Sequence, residues 1–247
     1  MPAKSSFKDN NGSFASNRPL IATPELWKAT QVTGHLLTPR ERELLASIST
    51  VVRFRKGETI YREGDPAVAL FSISSGVTKL QVRSSYTHHT IVRFNFVNEI
   101  FGVSQNGKYI HSVEAVSACV IYRIYAISFA RTIKLYPQIN SMMIRSLAFD
   151  IWNANSCMVV LKKRHAVSKL SWFLRDLRRV QLLSMNKSEE IYLPMSRLDI
   201  ADYLGISAEA VSRAFRNLVD RGAVHLRDRR HVKILNEADL EAAVYEP

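Results

Sequence analysis

Glu209, Ser212, Arg213 and Arg216 stand at i, i+3, i+4 and i+7 within the stretch SRLDIADYLGISAEAVSRAFRNLVDRG. On a helix that spacing puts all four side chains on one face. The set is chemically suited to a duplex groove: an arginine bonds guanine O6 and N7 together, and a carboxylate accepts from cytosine N4. A charged helix face is ordinarily only a solvated one. An anion facing DNA is also unfavourable, so Glu209 makes sense either as a base reader or as a brace for Arg213. What separates this stripe from a solvated face is the set of elements that must present it.

Those elements read as a helix pair. Ser196 with Asp199 three residues on has the spacing of a capping box, and Ile200, Ala201 and Leu204 follow on one side of a short helix. Gly205 ends it where the chain must turn through a left-handed conformation. Ser207 caps a second helix, with Val211, Phe215 and Leu218 as its inward stripe. Two helices joined at a short glycine turn form a DNA-binding unit, and the polar stripe begins at the N-terminus of the second, where a recognition helix meets base edges. Around the pair lie the amphipathic KLSWFLRDLRRV, with Leu170, Phe173, Leu174 and Leu177 on its apolar side, the short strand EIYLP, and the basic hairpin AVHLRDRRHVKIL. Helix, helix pair, then hairpin is the order of a winged helix-turn-helix. On this reading Glu209, Ser212 and Arg213 face base edges, while Ser196, Ser207, Arg216, Arg229 and Arg230 face the DNA backbone.

The formal charge of +12 fits such a partner, but its distribution matters more than its size. Residues 1–164 hold 21 Lys/Arg against 10 Asp/Glu, whereas residues 165–247 hold 13 against 12. The basic stripe of the C-terminal part is local: residues 212–233 hold seven Lys/Arg and two Asp.

Upstream the pattern changes. TPRERELLASIS predicts a short helix capped by Thr38, with Leu44, Leu45 and Ile48 on one face. From Val51 to about Ile124 short alternating segments are punctuated by Gly57, Gly64 and Gly76, the signature of an all-β roll or sandwich whose glycines serve turns of positive φ. After Tyr136-Pro137 a helical period takes over, with Met143, Leu147, Ile151, Ala154, Met158 and Leu161 at spacings of four, four, three, four and three. A seam so regular on a long helix between two domains suits pairing with a second copy, against the plainer reading of a helix packed on its own β-domain.

Other classes of function find little support. The polar start MPAKSSFKDNNGSFASNRP has no apolar core of a secretory signal, and no apolar run approaches the ~18 residues of a membrane span. Two cysteines without a CxxC or a His/Cys cluster suggest neither a disulfide framework nor zinc, and a reduced cytoplasm is the expected home. There is no GxSxG, HExxH or P-loop, and no paired carboxylate constellation, so an enzyme is not expected. A ligand-binding β-roll module controlling a protein partner remains the alternative of another class, and the helix pair with its basic hairpin counts against it.

LPMSRLDIADYLGISAEAVSRAFRNL resembles the DNA-binding helix pair of the CRP/FNR family of bacterial transcription regulators, and KGETIYREGDPAVALFSISSGVTKL resembles its β-roll sensory domain. The resemblance implies an α+β chain. A disordered tail at 1–20 precedes a β-roll (jelly-roll, cyclic-nucleotide-binding-like) domain at 21–136, a dimerisation helix at 137–168 and a winged helix-turn-helix domain at 169–247. It implies a homodimer on an inverted-repeat site in double-stranded DNA, with RNA polymerase as partner and activation as the family's habit. Glu209, Ser212 and Arg213 match the Glu-x-x-Ser-Arg of the FNR and FixK branches, read against TTGAT-like half-sites. The cyclic-AMP receptor branch has an arginine before the glutamate and a glycine for the serine, where this chain has Ala208 and Ser212.

The resemblance also bears on effectors. The family's nucleotide pocket needs a glutamate for the ribose and an Arg-Ser pair for the phosphate. Alignment on Phe101-Gly102 and Ala118-Cys119 places Val103 and Tyr109-Ile110 there, so cyclic AMP binding is not expected. Lys108 and His111 lie nearby as alternative anion ligands, with surface roles the plainer reading. No cysteine precedes Cys119, so an FNR-type iron–sulfur cluster is not expected either. Haem would need an axial ligand such as His88, His89 or His111, and three histidines near one roll are weak evidence. Cys157, between Ala154 and Met158, reads as a small buried hydrophobe before a redox switch. An effector-free regulator, or else a β-roll sensor whose DNA binding depends on haem or another small molecule, is what these residues leave.

Overall fold

The computed structural model describes residues 39–84, 89–104, 106–183 and 188–246. The 1–20 tail, Thr38 and His88 lie outside them. Helix α1 (Pro39–Ser47) leads into eight strands: β1 (Ser49–Phe54), β2 (Thr59–Tyr61), β3 (Ala69–Ser75), β4 (Thr78–Arg83), β5 (His89–Asn95), β6 (Ile100–Phe101), β7 (Ser112–Ala115) and β8 (Cys119–Tyr125). They form two four-stranded antiparallel sheets, β1-β8-β3-β6 and β2-β7-β4-β5. Tyr61, Phe71, Ile73, Phe101, Tyr109, Val113, Cys119 and Ile121 fill the space between them. Alternation of apolar and polar residues is what lets each sheet bury one face in this way. Gly57, Gly64 and Gly76 have φ of 84°, 87° and 92°, as the turn reading requires. At Gly76 a Cβ would also stand 2.4 Å from the Ala118 carbonyl oxygen and 2.6 Å from Cys119 Sγ, so glycine is needed for space as well as conformation.

Helix α2 (Ala126–Leu135), which the strand and helix patterns left unassigned, follows β8 directly. Its start at Tyr125 carries no side-chain cap, so no local signal marks it. The long helix α3 spans Gln138–Leu161 and stops at Lys162 instead of running to 168; α4 (Ala166–Leu183) has begun by then. Ile139, Met142 and Met143 pack with Leu45, Leu70, Ile100, Ile124 and Phe129 against the outer face of the first sheet.

The rest is β9 (Glu190–Tyr192), α5 (Arg197–Leu204), α6 (Ala208–Asp220), β10 (Val224–Leu226), β11 (His231–Ile234) and α7 (Glu237–Tyr245), with a three-stranded sheet β10-β11-β9. Helix α7 was not anticipated, although Asn236 caps it by accepting from Asp239 N–H. Leu170, Leu174, Ile200, Leu204, Val211 and Leu218 are fully buried in this domain's core. Ile91, Phe94 and Val116 of the roll belong to the same cluster, so one apolar core runs from the winged domain onto the second sheet.

Candidate nucleic-acid interface

The helix pair is built by local side-chain chemistry. Ser196 Oγ accepts from Asp199 N–H at 3.0 Å, and Asp199 Oδ2 accepts from Ser196 N–H at 2.9 Å, a complete capping box at the start of α5. Gly205 closes α5 in the left-handed conformation, with φ 61°. At the same end Lys169, buried on α4, donates to the Leu204 carbonyl at 3.1 Å, placing a cation where the helix dipole is negative. Ser207 Oγ accepts from Ala210 N–H at 3.1 Å and starts α6.

On α6, Val211, Ala214, Phe215 and Leu218 are buried, while Glu209, Ser212, Arg213 and Arg216 are exposed and line one open depression with Ala208. All four side chains read as a stripe therefore come together on the free face. Ser212 Oγ donates to the Ala208 carbonyl at 2.9 Å, which leaves its lone pairs outward, an acceptor suited to an amino group on a base edge. Glu209 is held below the usual carboxylate range, first by its own backbone N–H, then by the Ser207 hydroxyl, with a smaller contribution from Arg213. The glutamate is thus anchored to the positive end of its own helix more than to Arg213.

The backbone-facing group divides. Arg216 and Arg229 are exposed at the helix face and the hairpin tip. In the β10–β11 turn Asp228 accepts from the backbone N–H of Arg230 and His231, at 2.6 and 2.9 Å, which shapes the tip. Arg230 Nη1 stands 3.5 Å from the Tyr192 hydroxyl. Ser196 is exposed, but its hydroxyl donates to Asp199 Oδ2 at 2.6 Å, so that proton is engaged within the cap. Arg197, at the first position of α5, was not expected from the spacing of the stripe. Its guanidinium stacks on the Phe215 ring, its Nη1 is buried without a partner, and burial followed by Arg229 lowers its pKa to about 10. A cation held beside Arg229, with no counter-ion among the described residues, is chemically prepared for a phosphate. The signal was legible: a basic residue at the first position of a capped helix.

The long helix presents an apolar face without a partner among the described residues. Leu147, Ile151, Ala154, Met158 and Leu161 are exposed, Ile151 by 63%, and Ile144 and Val159 extend the stripe at 67% and 64%. Met143 departs from the expected seam. At 9% exposure it packs into the roll with Ile139 and Met142, because the start of α3 lies on the first sheet.

In the roll, Tyr109 is buried and stacks on Tyr61 with ring centroids 3.8 Å apart; its hydroxyl donates to the Ala69 carbonyl at 2.8 Å. Val103 and Ile110 are exposed at 37% and 62%, and Lys108 is exposed. His111 Nε2 lies 2.9 Å from the Tyr61 hydroxyl, and burial pushes its pKa down to about 4. His89 is exposed at the start of β5. Cys119 is buried and Cys157 is partly exposed, and burial raises both thiols. Among the described residues no three His, Cys, Asp or Glu are grouped to hold a metal, and no helix is long and apolar enough to cross a membrane.

Comparison with known proteins agrees with this architecture. Residues 168–243 match the Crp-like helix-turn-helix domain and residues 51–136 the cyclic nucleotide-binding domain. The nitrogen fixation regulation protein FixK of Bradyrhizobium diazoefficiens is 34% identical over 177 residues, covering 70% of this chain and 73% of that protein. The transcriptional activatory protein AadR of Rhodopseudomonas palustris is 28% identical over 185 residues, covering 74% and 76%. The structure of FixK2 from Bradyrhizobium japonicum superposes with a TM-score of 0.74 at 24% identity, covering 81% of this chain and 99% of that one. With a roll, a long helix and a capped helix pair all in place, the chain belongs to the CRP/FNR family of transcription regulators, in its FixK-like branch.

Proposed function

We propose that the protein is a homodimeric, sequence-specific DNA-binding regulator that reads an inverted TTGAT-like repeat and works with RNA polymerase, as an activator. The observation that carries this is the two-sided character of α6: one face wholly buried, the other an exposed stripe of Glu209, Ser212, Arg213 and Arg216. Such a helix, entering the major groove from its N-terminus, meets base edges with Glu209, Ser212 and Arg213, while Arg216, Arg229 and the helix N-termini at Ser196 and Ser207 meet phosphates. Dimerisation is supported by the open apolar face of α3, and two-fold symmetry in the protein calls for the same symmetry in the site.

DNA binding in this reading needs no cyclic nucleotide, iron–sulfur cluster or haem. The support is chemical: Tyr61, Phe71, Phe101 and Tyr109 stack in the roll interior, and Val103 and Tyr109-Ile110 offer neither the carboxylate nor the guanidinium that a cyclic nucleotide requires. Competition binding tests the proposal. An inverted TTGAT-like repeat should compete far better than scrambled DNA, with affinity falling steeply as salt rises, in protein free of added effector. Equal competition by scrambled DNA would overturn it.

A further inference from the structure

Helix α5 turns its apolar side, Ile200, Ala201 and Leu204, into the winged domain, and its opposite side would be expected to face water. It does not. Asp199, Asp202 and Tyr203 occur at i, i+3 and i+4, and each is tied to a different element outside the winged domain. Asp199 Oδ1 meets Lys79 Nζ of β4 at 3.0 Å, and the same ammonium meets Glu114, its cross-strand neighbour on β7, at 3.1 Å. Asp202 Oδ2 accepts from the Ile91 N–H of β5 at 2.8 Å. The Tyr203 ring meets Phe94 of β5 edge-on at 5.3 Å, and its hydroxyl lies beside the Cys157 thiol of α3.

These contacts have consequences for geometry more than for stability. Lys79 and Asp199 are 15% and 19% exposed, so pairing repays desolvation only in part, while the three directional contacts admit one orientation of α5. Helix α6 follows rigidly, because the Gly205 turn, the shared core and the Arg197–Phe215 stack join it to α5. The angle between α6 and the long helix α3 is therefore set through the roll.

We infer that Lys79 and Asp202 are positioning residues for DNA recognition, which lock the reading helix to the roll and so fix the half-site spacing that the dimer accepts. This rests on the dimeric reading above. With the lock in place a spacer changed by one base pair displaces the second helix from its groove. Without it, each winged domain swivels and tolerates the change.

The test measures binding of the full chain to inverted repeats whose spacer is native or altered by one base pair in either direction, and to a single half-site. The wild-type protein should lose about tenfold or more on the altered spacers; Lys79→Met and Asp202→Ala, which remove the cation and the acceptor for the Ile91 N–H, should each reduce that penalty to about threefold or less, with half-site binding unchanged. Lys79→Arg, which keeps the cation, should restore the wild-type penalty. Thermal melts of all three variants verify that each is folded, and two independent positions keep the test decisive if one variant is unstable. A full spacing penalty retained in folded Lys79→Met and Asp202→Ala overturns the positioning role alone. A wild-type protein indifferent to spacing overturns that role together with the inverted-repeat reading.

Discussion

The Arg197 guanidinium carbon lies 3.4 Å from the centroid of the Phe215 ring, so the first residue of α5 is laid flat over the core of α6. Apolar packing joins the two helices, and this stack adds a cation at the rim of the same core. Arg197→Ala should lower stability by about 1–2 kcal/mol and weaken specific and scrambled DNA alike. Denaturant unfolding and competition binding check the two parts, and a loss confined to the specific site would place Arg197 on a base.

Arg213 and the hairpin arginines are expected to differ in kind. Arg213→Ala should cost ~1–3 kcal/mol and relax preference at one base pair per half-site. Arg229→Ala and Arg230→Ala should weaken all sequences about equally and shallow the salt dependence, as loss of a phosphate contact does. Binding to a panel of single-base variants separates the two patterns; equal losses across the panel for Arg213→Ala would remove it from base reading.

The long helix makes a third pair of predictions. Ile151→Asp puts a charge into the exposed apolar face and should give a folded monomer in sedimentation, with a large loss of affinity for the two-fold site. Met143→Ala should leave the oligomeric state alone and cost about 2–4 kcal/mol of stability, because that side chain is buried between α3 and the outer face of the first sheet. A dimeric Ile151→Asp protein would exclude this face as the interface.

His111 supplies a pH signature. With its pKa lowered from 6.5 to about 4, the unfolded chain binds a proton before the folded one does as pH falls. Stability contributed by the neutral imidazole is therefore full above pH 6.5 and is lost progressively down to about pH 4, after which it levels. Its ring resonances should not titrate near 6.5 in an NMR pH series; titration there would mean that the imidazole is not buried in solution.

The helix pair was legible because its instructions are local. Ser196 with Asp199, Gly205 and Ser207 each act on a backbone within a few residues, and the alternation of Val211 and Phe215 with Arg213 and Arg216 records which side is buried. Helix α7 was legible in the same way, through Asn236 and Asp239, but went unread. Helix α2 carries no cap and no such record. Met143 shows the limit of periodicity, which tells that a position is apolar but not whether its partner is the same chain or another. Lys79 and Asp199 are 120 residues apart, and nothing in the spacing of either announces the other.

The central claim is that Arg213 on α6 reads a guanine in the major groove. Replacing that guanine of the TTGAT-like half-site with 7-deazaguanine removes the N7 acceptor and leaves the groove shape and phosphates as they were. Wild-type affinity should fall on the substituted site, and the Arg213→Ala variant should bind both sites equally. Undiminished wild-type binding to the substituted site, at every guanine tested, would contradict the account.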